Sequence, residues 1–160
     1  MAVEALTPAD PASHQEEFGA LYATIQQFYA HQMQLFDDHD GERWAGTFTE
    51  DAVFVVPTLD SPVRGRASLA ATVRRAKEQQ ERDGVQLRHW IGMLDVRPQA
   101  DGTLRTRAYA LVYATSRGGE PKVSRVCVME DVLGRSRGKW RVRCRLVTRD
   151  DLGPAAGNAA

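Results

Sequence analysis

The order of the predicted elements constrains the fold of this chain more than any other feature. Apolar residues recur at helical spacing early in the chain, whereas the part after Gly84 reads as strands separated by glycine turns. We predict helices over about 13–38, 41–48 and 66–82, with a strand over 51–57 between the second and third. Strands over 85–97, 104–115, 122–133 and 139–149 follow. Helices early and an antiparallel meander late indicate an α+β domain.

Both ends of the chain lack side chains that could form a core. Residues 1–13 contain two prolines among small residues, and the chain finishes in a small, polar run. We therefore expect disordered tails over 1–13 and 151–160 around one domain of residues 14–150. The 160 residues suffice for a single domain with a substantial core.

Charge and composition exclude several classes of partner. The 21 basic residues equal the 21 acidic ones, so bulk charge gives no reason to expect nucleic acid or an acidic membrane as a partner. No apolar stretch approaches the length of a membrane span, and the first residues do not resemble a signal peptide. We expect a cytoplasmic protein.

The metal-ligating residue types do not form a recognisable site. The two cysteines, Cys127 and Cys144, lie in strand-like runs without metal-ligand spacing. His31 and His39 are two helical turns apart, too far to share an ion. We predict no metal and no cofactor.

His89 is the strongest candidate for chemistry. On its predicted strand it shares a face with Leu87, Ile91 and Met93, which places an imidazole among apolar side chains. Such a residue is either a core histidine bonded to a backbone carbonyl or an acid/base group that faces a ligand.

Asp37 is the candidate partner of His89. It follows two apolar residues at the end of the first helix, so it could turn inward beneath the sheet. A carboxylate that accepts the ring N–H of His89 would fix the tautomer of the imidazole. The alternative is a solvated helix end, which we favour for Asp38 and Asp40, with Asp40 as the N-cap of the second helix.

The last predicted strand carries an alternating stripe of Arg141, Arg143 and Arg145. One interpretation is a solvated face, with Glu130 and Asp131 of the preceding strand pairing across the sheet. The other is an anion site for a carboxylate, a phosphopantetheine arm or an acidic acyl carrier protein.

Two tyrosines are candidates for substrate contact. Tyr109 and Tyr113 share a strand face, and we expect them at the mouth of a cavity, where a hydroxyl can donate to a substrate carbonyl.

The chain resembles the nuclear-transport-factor-2-like (NTF2-like) cone-fold superfamily, in its SnoaL-like branch. The resemblance spans about residues 14–149. It is carried by LFDDHDGERW at 35–44, FTEDAVF at 48–54, RHWIG at 88–92 and GKWRV at 138–142. It implies three helices packed on a strongly curved antiparallel sheet that encloses an apolar pocket. We also expect a homodimer through the outer face of the sheet.

Within that superfamily, Asp37 and His89 look like the acid/base pair of scytalone dehydratase and bile-acid 7α-dehydratase. The resemblance implies that His89 removes a proton next to a carbonyl, that Asp37 orients it, and that water is lost. Tyr113 and Ala114 stand where scytalone dehydratase has a second histidine, and the carbonyl-polarising tyrosines of those enzymes fall near Gln32, Phe36 and Phe54. Cyclisation and isomerisation therefore stay open.

Three functions follow. The first, which we favour, is a cofactor-independent dehydratase, cyclase or isomerase acting on a polyketide-like or other cyclic carbonyl intermediate of secondary metabolism. The second is the non-catalytic small (beta) subunit of a ring-hydroxylating dioxygenase, which is similar at the helix end and first strand. The third is a module that binds a hydrophobic ligand. For the enzyme, the expected substrate is a small hydrophobic or aromatic molecule, and the further contact residues are Gln32, Trp44, Phe54 and Met93.

Overall fold

A computed structural model describes residues 11–152, without the side chains of residues 11–13. The elements are α1 (Pro11–Asp37), α2 (Gly41–Ala45), β1 (Phe48–Val55), β2 (Val63–Arg64), α3 (Gly65–Asp83), β3 (Val85–Pro98), β4 (Leu104–Ser116), β5 (Lys122–Ser136) and β6 (Lys139–Arg149). This order confirms the prediction except for the two-residue strand β2, which lies where we expected a loop. The second helix is shorter than expected because the chain already turns at Thr47, whose N–H bonds the carbonyl of Trp44.

The strands form one sheet in the order β2-β1-β6-β5-β4-β3. All neighbours are antiparallel except β1 and β6, which run parallel. The sheet is therefore mixed, where the sequence suggested an antiparallel one. About half of the chain lies between these two strands, so no hairpin forces them to run in opposite directions.

Irregular pairing curves the sheet around the helices. The register shifts between Gly92 and Asp95 in β3, between Val112 and Tyr113 in β4, and between Val132 and Leu133 in β5. Each such irregularity bends a strand and increases its twist. The result is the predicted α+β cone, a curved and unclosed sheet covered by three helices.

The core lies between the concave face of the sheet and the helices. Its members are almost inaccessible to solvent and include Ile25, Tyr29, Trp44, Phe48, Leu69, Leu133 and Val142. Burial of such large apolar side chains is the main stabilising contribution to the fold.

The predicted tails lie mostly outside the described residues. Residues 1–10 and 153–160 belong to that part, so the expected disorder there stays a prediction. Residues 11–13 are already helical, so the first helix begins two residues earlier in the chain than predicted. Within residues 11–152, no helix has the length and apolar character that a membrane span requires.

Candidate active site

The concave face of the sheet and the helices enclose a cavity of about 470 Å³. This volume lies within the range of small-molecule sites. The wall is mostly apolar and aromatic, and it includes Met33, Phe36, Trp44, Phe54, Val112 and Met129. Trp44 and Phe54 thus lie where the sequence suggested. The buried or nearly buried ionisable side chains of this wall are His89, Arg145 and the thiol of Cys127.

Asp37 holds His89 with both of its carboxylate oxygens. Oδ1 lies 2.6 Å from the ring Nδ1, and Oδ2 accepts the backbone N–H of His89 at 2.9 Å. Because an ionised carboxylate can only accept, Nδ1 carries the ring proton of the neutral imidazole and Nε2 carries its lone pair. No described residue bonds Nε2, and His89 lines the cavity. The pair therefore presents a proton acceptor to a ligand.

Neighbouring side chains fix this pair in place. The ring of Phe36 stands edge-on to the His89 ring, with centroids 4.9 Å apart and planes at 81°. The Asp37 side chain is 6% exposed, so little water competes for its oxygens. Gln86 donates to the Asp37 carbonyl at 3.4 Å, at the end of α1 where helical carbonyls lack partners.

The two acids that follow Asp37 behave as solvated helix-end residues. Asp38 is 70% exposed beside Arg88. Asp40 caps α2 by accepting the backbone N–H of Arg43 at 3.2 Å. Only Asp37 of this acidic run turns inward, which separates one functional candidate from its neighbours.

A second buried ion pair joins β5 and β6. Arg145 donates from Nε to Asp131 Oδ1 at 2.8 Å and from Nη2 to Asp131 Oδ2 at 2.7 Å. Nη2 also donates to Gln32 Oε1 at 2.6 Å. Burial lowers the pKa of Arg145, but the charge and hydrogen bonds of Asp131 outweigh this and leave the pKa above its ordinary value. Arg145 is thus a permanent cation in the cavity wall.

Tyr29 completes the surroundings of Asp131. Its hydroxyl donates to Asp131 Oδ2 at 2.8 Å and lies 2.6 Å from the hydroxyl of Thr106. Burial, and secondly the negative charge of Asp131, raise the pKa of Tyr29 well above its ordinary value. Tyr29 therefore stays neutral and acts as a donor.

The arginine stripe predicted from alternation does not exist. Val142 pairs with Leu133 and Cys144 with Val132, so Arg143 is an extra residue that bulges out of β6 over Gly134. Arg143 is exposed, Arg141 donates to the carbonyl of Gly46, and Arg145 turns inward. Of the two acidic residues suggested as cross-strand partners of these arginines, Asp131 does pair with one of them, Arg145. Glu130 instead lies 3.9 Å from Arg107.

Four residues expected at the substrate lie elsewhere. Strand β4 lines the cavity with Ala110, Val112 and Ala114, so Tyr109 and Tyr113 project from the opposite face. Tyr109 is 45% exposed there. Met93 and Gln32 also lie outside the cavity wall, for different reasons.

Met93 is 78% exposed because it occupies the irregularity of β3 with a left-handed φ of 51°. This backbone turns its side chain out of the apolar wall. Gln32 is fully buried and does not line the cavity. Its Nε2 donates to Thr47 at 2.6 Å while its Oε1 accepts from Arg145. Gln32 therefore positions Arg145.

Sequence reasoning did not single out Arg145 from its strand. Its only signals were the acidic Asp131 on the preceding strand and its place in the arginine run. Neither predicts the direction of a side chain beyond a bulge. Among residues 11–152, no three His, Cys, Asp or Glu side chains lie close enough to hold a metal ion.

A family model described as a SnoaL-like domain matches residues 20–145. Aln2 from a Streptomyces species is 36% identical, with 82% of this chain and 92% of that chain covered and a TM-score of 0.76. ActVI-ORFA from Streptomyces coelicolor is 31% identical, with coverages of 85% and 99% and a TM-score of 0.79. A Catenulispora acidiphila protein in complex with S-DNPA is 37% identical, with coverages of 82% and 95% and a TM-score of 0.71. No match was found among the curated proteins.

More distant structures share the fold alone. An NTF2-like protein from Novosphingobium aromaticivorans is 24% identical, with coverages of 94% and 96% and a TM-score of 0.75. A candidate beta subunit of an aromatic-ring-hydroxylating dioxygenase from the same organism is 22% identical, with coverages of 86% and 94% and a TM-score of 0.66.

Proposed function

Since this chain belongs to the SnoaL-like domain family, we propose that it is a cofactor-independent acid/base enzyme of secondary metabolism. Its substrate is a polyketide-like or other cyclic carbonyl intermediate. The reaction begins with removal of a proton from the carbon next to the carbonyl and leads to dehydration, cyclisation or isomerisation. The observation that carries this proposal is the Asp37–His89 pair, whose second ring nitrogen is open to an apolar cavity.

His89 is the base in this reaction. The lone pair of Nε2 takes the proton, and the resulting imidazolium keeps its hydrogen bond from Nδ1 to Asp37. Asp37 is a positioning residue that also stabilises the cation. In a dehydration, His89 then returns the proton to a departing hydroxyl group, which leaves as water. The apolar wall supports the proposal because it keeps bulk water from the transferred proton.

The cavity supports a small hydrophobic or aromatic substrate. Aromatic side chains dominate the wall around His89, where the Phe36 ring lies 4.9 Å from that of Trp44. A relative of 37% identity was solved in complex with S-DNPA, which supports ligand binding in this family.

Proton removal is testable without the natural substrate. We expect the protein to accelerate deuterium exchange at the carbon next to the carbonyl of 1-tetralone, measured by NMR in D2O. His89→Ala should lower this acceleration by about 10² to 10⁴, the usual contribution of a general base. Tyr109→Phe, which alters only the outer face, is the matched control and should exchange at the wild-type rate.

Two results would contradict the enzyme proposal. The first is a folded His89→Ala protein that exchanges as fast as wild type. The second is a wild-type protein that binds 1-tetralone without accelerating exchange, which would favour a ligand-binding module. The dioxygenase subunit shares only the fold with this chain, so no observation favours that alternative.

We further propose a homodimer through the outer face of the sheet. Trp90 and Val126 flank Leu111 in adjacent strands, and they are 65% and 40% exposed. Exposed apolar groups of this size on one face are typical of an interface. Trp90→Arg should halve the mass observed in sedimentation, whereas Phe18→Lys, a change of an exposed apolar residue on α1, should not. A wild-type monomer would contradict this proposal.

A further inference from the structure

Arg145 has one nitrogen that the protein does not use. Asp131 and Gln32 occupy Nε and Nη2, and no described residue accepts from Nη1. Four polar side-chain atoms of the described chain are both inaccessible and without a hydrogen-bond partner, namely His39 Nε2, Trp44 Nε1, Thr49 Oγ1 and Arg141 Nε. Nη1 of Arg145 is not one of them, so it has accessible surface. Because Arg145 lines the cavity and is 2% exposed overall, the open surface of Nη1 faces the cavity.

The rest of the guanidinium is held rigidly. Asp131 fixes it through two parallel hydrogen bonds, a geometry that sets the plane of the group. The group also lies over the ring of Phe48 at 5.2 Å and that of Tyr29 at 5.9 Å. A donor that is fixed before the ligand arrives costs no reorganisation when charge develops on the ligand.

Arg145 and His89 reach the cavity on the same side of α1. Arg145 bonds Gln32, and the His89 ring packs on Phe36, one helical turn later. Residues at this spacing lie on one helix face, about 6 Å apart along the axis. Arg145 and His89 therefore line the same cavity next to neighbouring turns of α1, where one ligand can face both.

Charge favours a neutral carbonyl oxygen as the acceptor for Nη1. The Arg145–Asp131 pair is already neutral, so a ligand carboxylate would add an uncompensated negative charge to an apolar cavity beside which Asp37 is also buried. A carbonyl oxygen adds none. When His89 takes the proton, the charge that appears on this oxygen is balanced by the imidazolium, and the total charge of the cavity stays constant.

We propose that Arg145 is a catalytic residue whose Nη1 donates a hydrogen bond to the substrate carbonyl oxygen and stabilises the enolate that His89 generates. The electron pair of the broken C–H bond forms the C=C bond, and the carbonyl π electrons move to the oxygen. The proton goes to His89 Nε2, and Arg145 keeps all of its own protons. The substrate class is thus a cyclic ketone with a proton on the carbon next to its carbonyl. This role rests on the proposed function, although its test does not require turnover.

The test uses 1-naphthol, whose ionised form mimics the enolate of 1-tetralone. We expect the wild-type protein to favour bound naphtholate, measured by absorbance titration of the ligand. Arg145→Met combined with Asp131→Asn removes the donor without leaving a lone buried charge. This double variant should bind naphtholate about tenfold or more weakly than the wild type, whose Arg145–Asp131 pair is also neutral overall. Equal binding by the folded double variant would overturn the proposal.

Two measurements keep the test valid if the double variant does not fold. In the wild type, 1-naphthol bound at neutral pH should show the absorbance of naphtholate, because His89 takes its proton and the total charge of the cavity stays constant. A bound ligand that keeps the absorbance of neutral naphthol would overturn the proposal. His89→Ala cannot take the proton, so it should lose deuterium exchange and bind 1-naphthol in its neutral form. A naphtholate absorbance in His89→Ala would overturn the charge balance on which the role of Arg145 rests.

Discussion

Two buried carboxylates in this molecule bind a nitrogen base in similar ways and with different consequences. Asp37 and Asp131 each use both oxygens on one partner residue, His89 and Arg145 respectively. The His89 side chain is 14% exposed, whereas that of Arg145 is 3% exposed. Imidazole can exchange a proton near neutral pH and guanidinium cannot. The first pair is therefore suited to move a proton, and the second to hold a fixed charge.

The two pairs also differ in the number of further hydrogen-bond partners around each carboxylate. Asp131 accepts from Tyr29 as well as Arg145, and its side chain is fully buried. Asp37 has only His89 on its carboxylate among the described residues, and the ring of His89 keeps one nitrogen open. The comparison teaches that fewer partners and slightly greater exposure go with the pair that can move a proton, and more partners and full burial with the pair that keeps a fixed charge.

The largest effect that would test this comparison is expected from Asp131→Ala. It leaves the guanidinium of Arg145 buried without its counter-charge, which typically costs about 3–5 kcal/mol of stability. The free energy of unfolding from urea titration should fall by this amount. A loss below about 1 kcal/mol would show that the second pair is not structural.

A smaller effect, mainly on catalysis, is expected from Asp37→Asn. The amide can present either its oxygen or its NH2 group to Nδ1, so it no longer fixes the tautomer of His89. We expect the exchange rate of 1-tetralone to fall by about 10- to 100-fold while the fold persists. The neighbouring exposed residue supplies the matched control, since Asp38→Asn should leave the rate unchanged and alter stability by less than about 0.5 kcal/mol. Equal rates for both variants and wild type would remove Asp37 from the mechanism.

The smallest effect concerns Tyr29 and appears at high pH. Its raised pKa means that the native state keeps the phenol proton after the unfolded state has lost it. The stability contributed by Tyr29 is therefore fully present below pH about 10, the ordinary tyrosine pKa, and declines as pH rises further. Tyr29→Phe should cost about 1 kcal/mol at neutral pH and flatten this alkaline decline. Urea titrations at several pH values measure it, and an unchanged slope would contradict the assignment.

Much of the fold and half of the site could be predicted from the sequence. Helical spacing and turn residues defined the element order because each element has its own apolar period. Asp37 and His89 could be paired because each stands in a short motif with a known relative. The two faces of β4 were also predictable, but alternation does not say which face is concave. This is why Tyr109 was assigned to the wrong side.

The remaining errors share a physical cause. Met93 and Arg145 both lie at or just beyond an irregularity in strand pairing, and such a feature shifts every later side chain to the opposite face. Gln32 was placed at the ligand because it falls near a carbonyl-polarising tyrosine of the resembling dehydratases, whereas its partners come from 15 and 113 residues away in the chain. Contacts of that range depend on the assembled sheet.

The bulge at Arg143 gives the strand room to change its length without changing the cavity. Deleting Arg143 would leave Val142 and Cys144 paired with the consecutive residues Leu133 and Val132, so the alternation would become regular while the guanidinium of residue 145 still faced inward. The loss of a single codon at this position would thus straighten the strand and keep the cationic cavity. No residue that lines the cavity would need to be replaced.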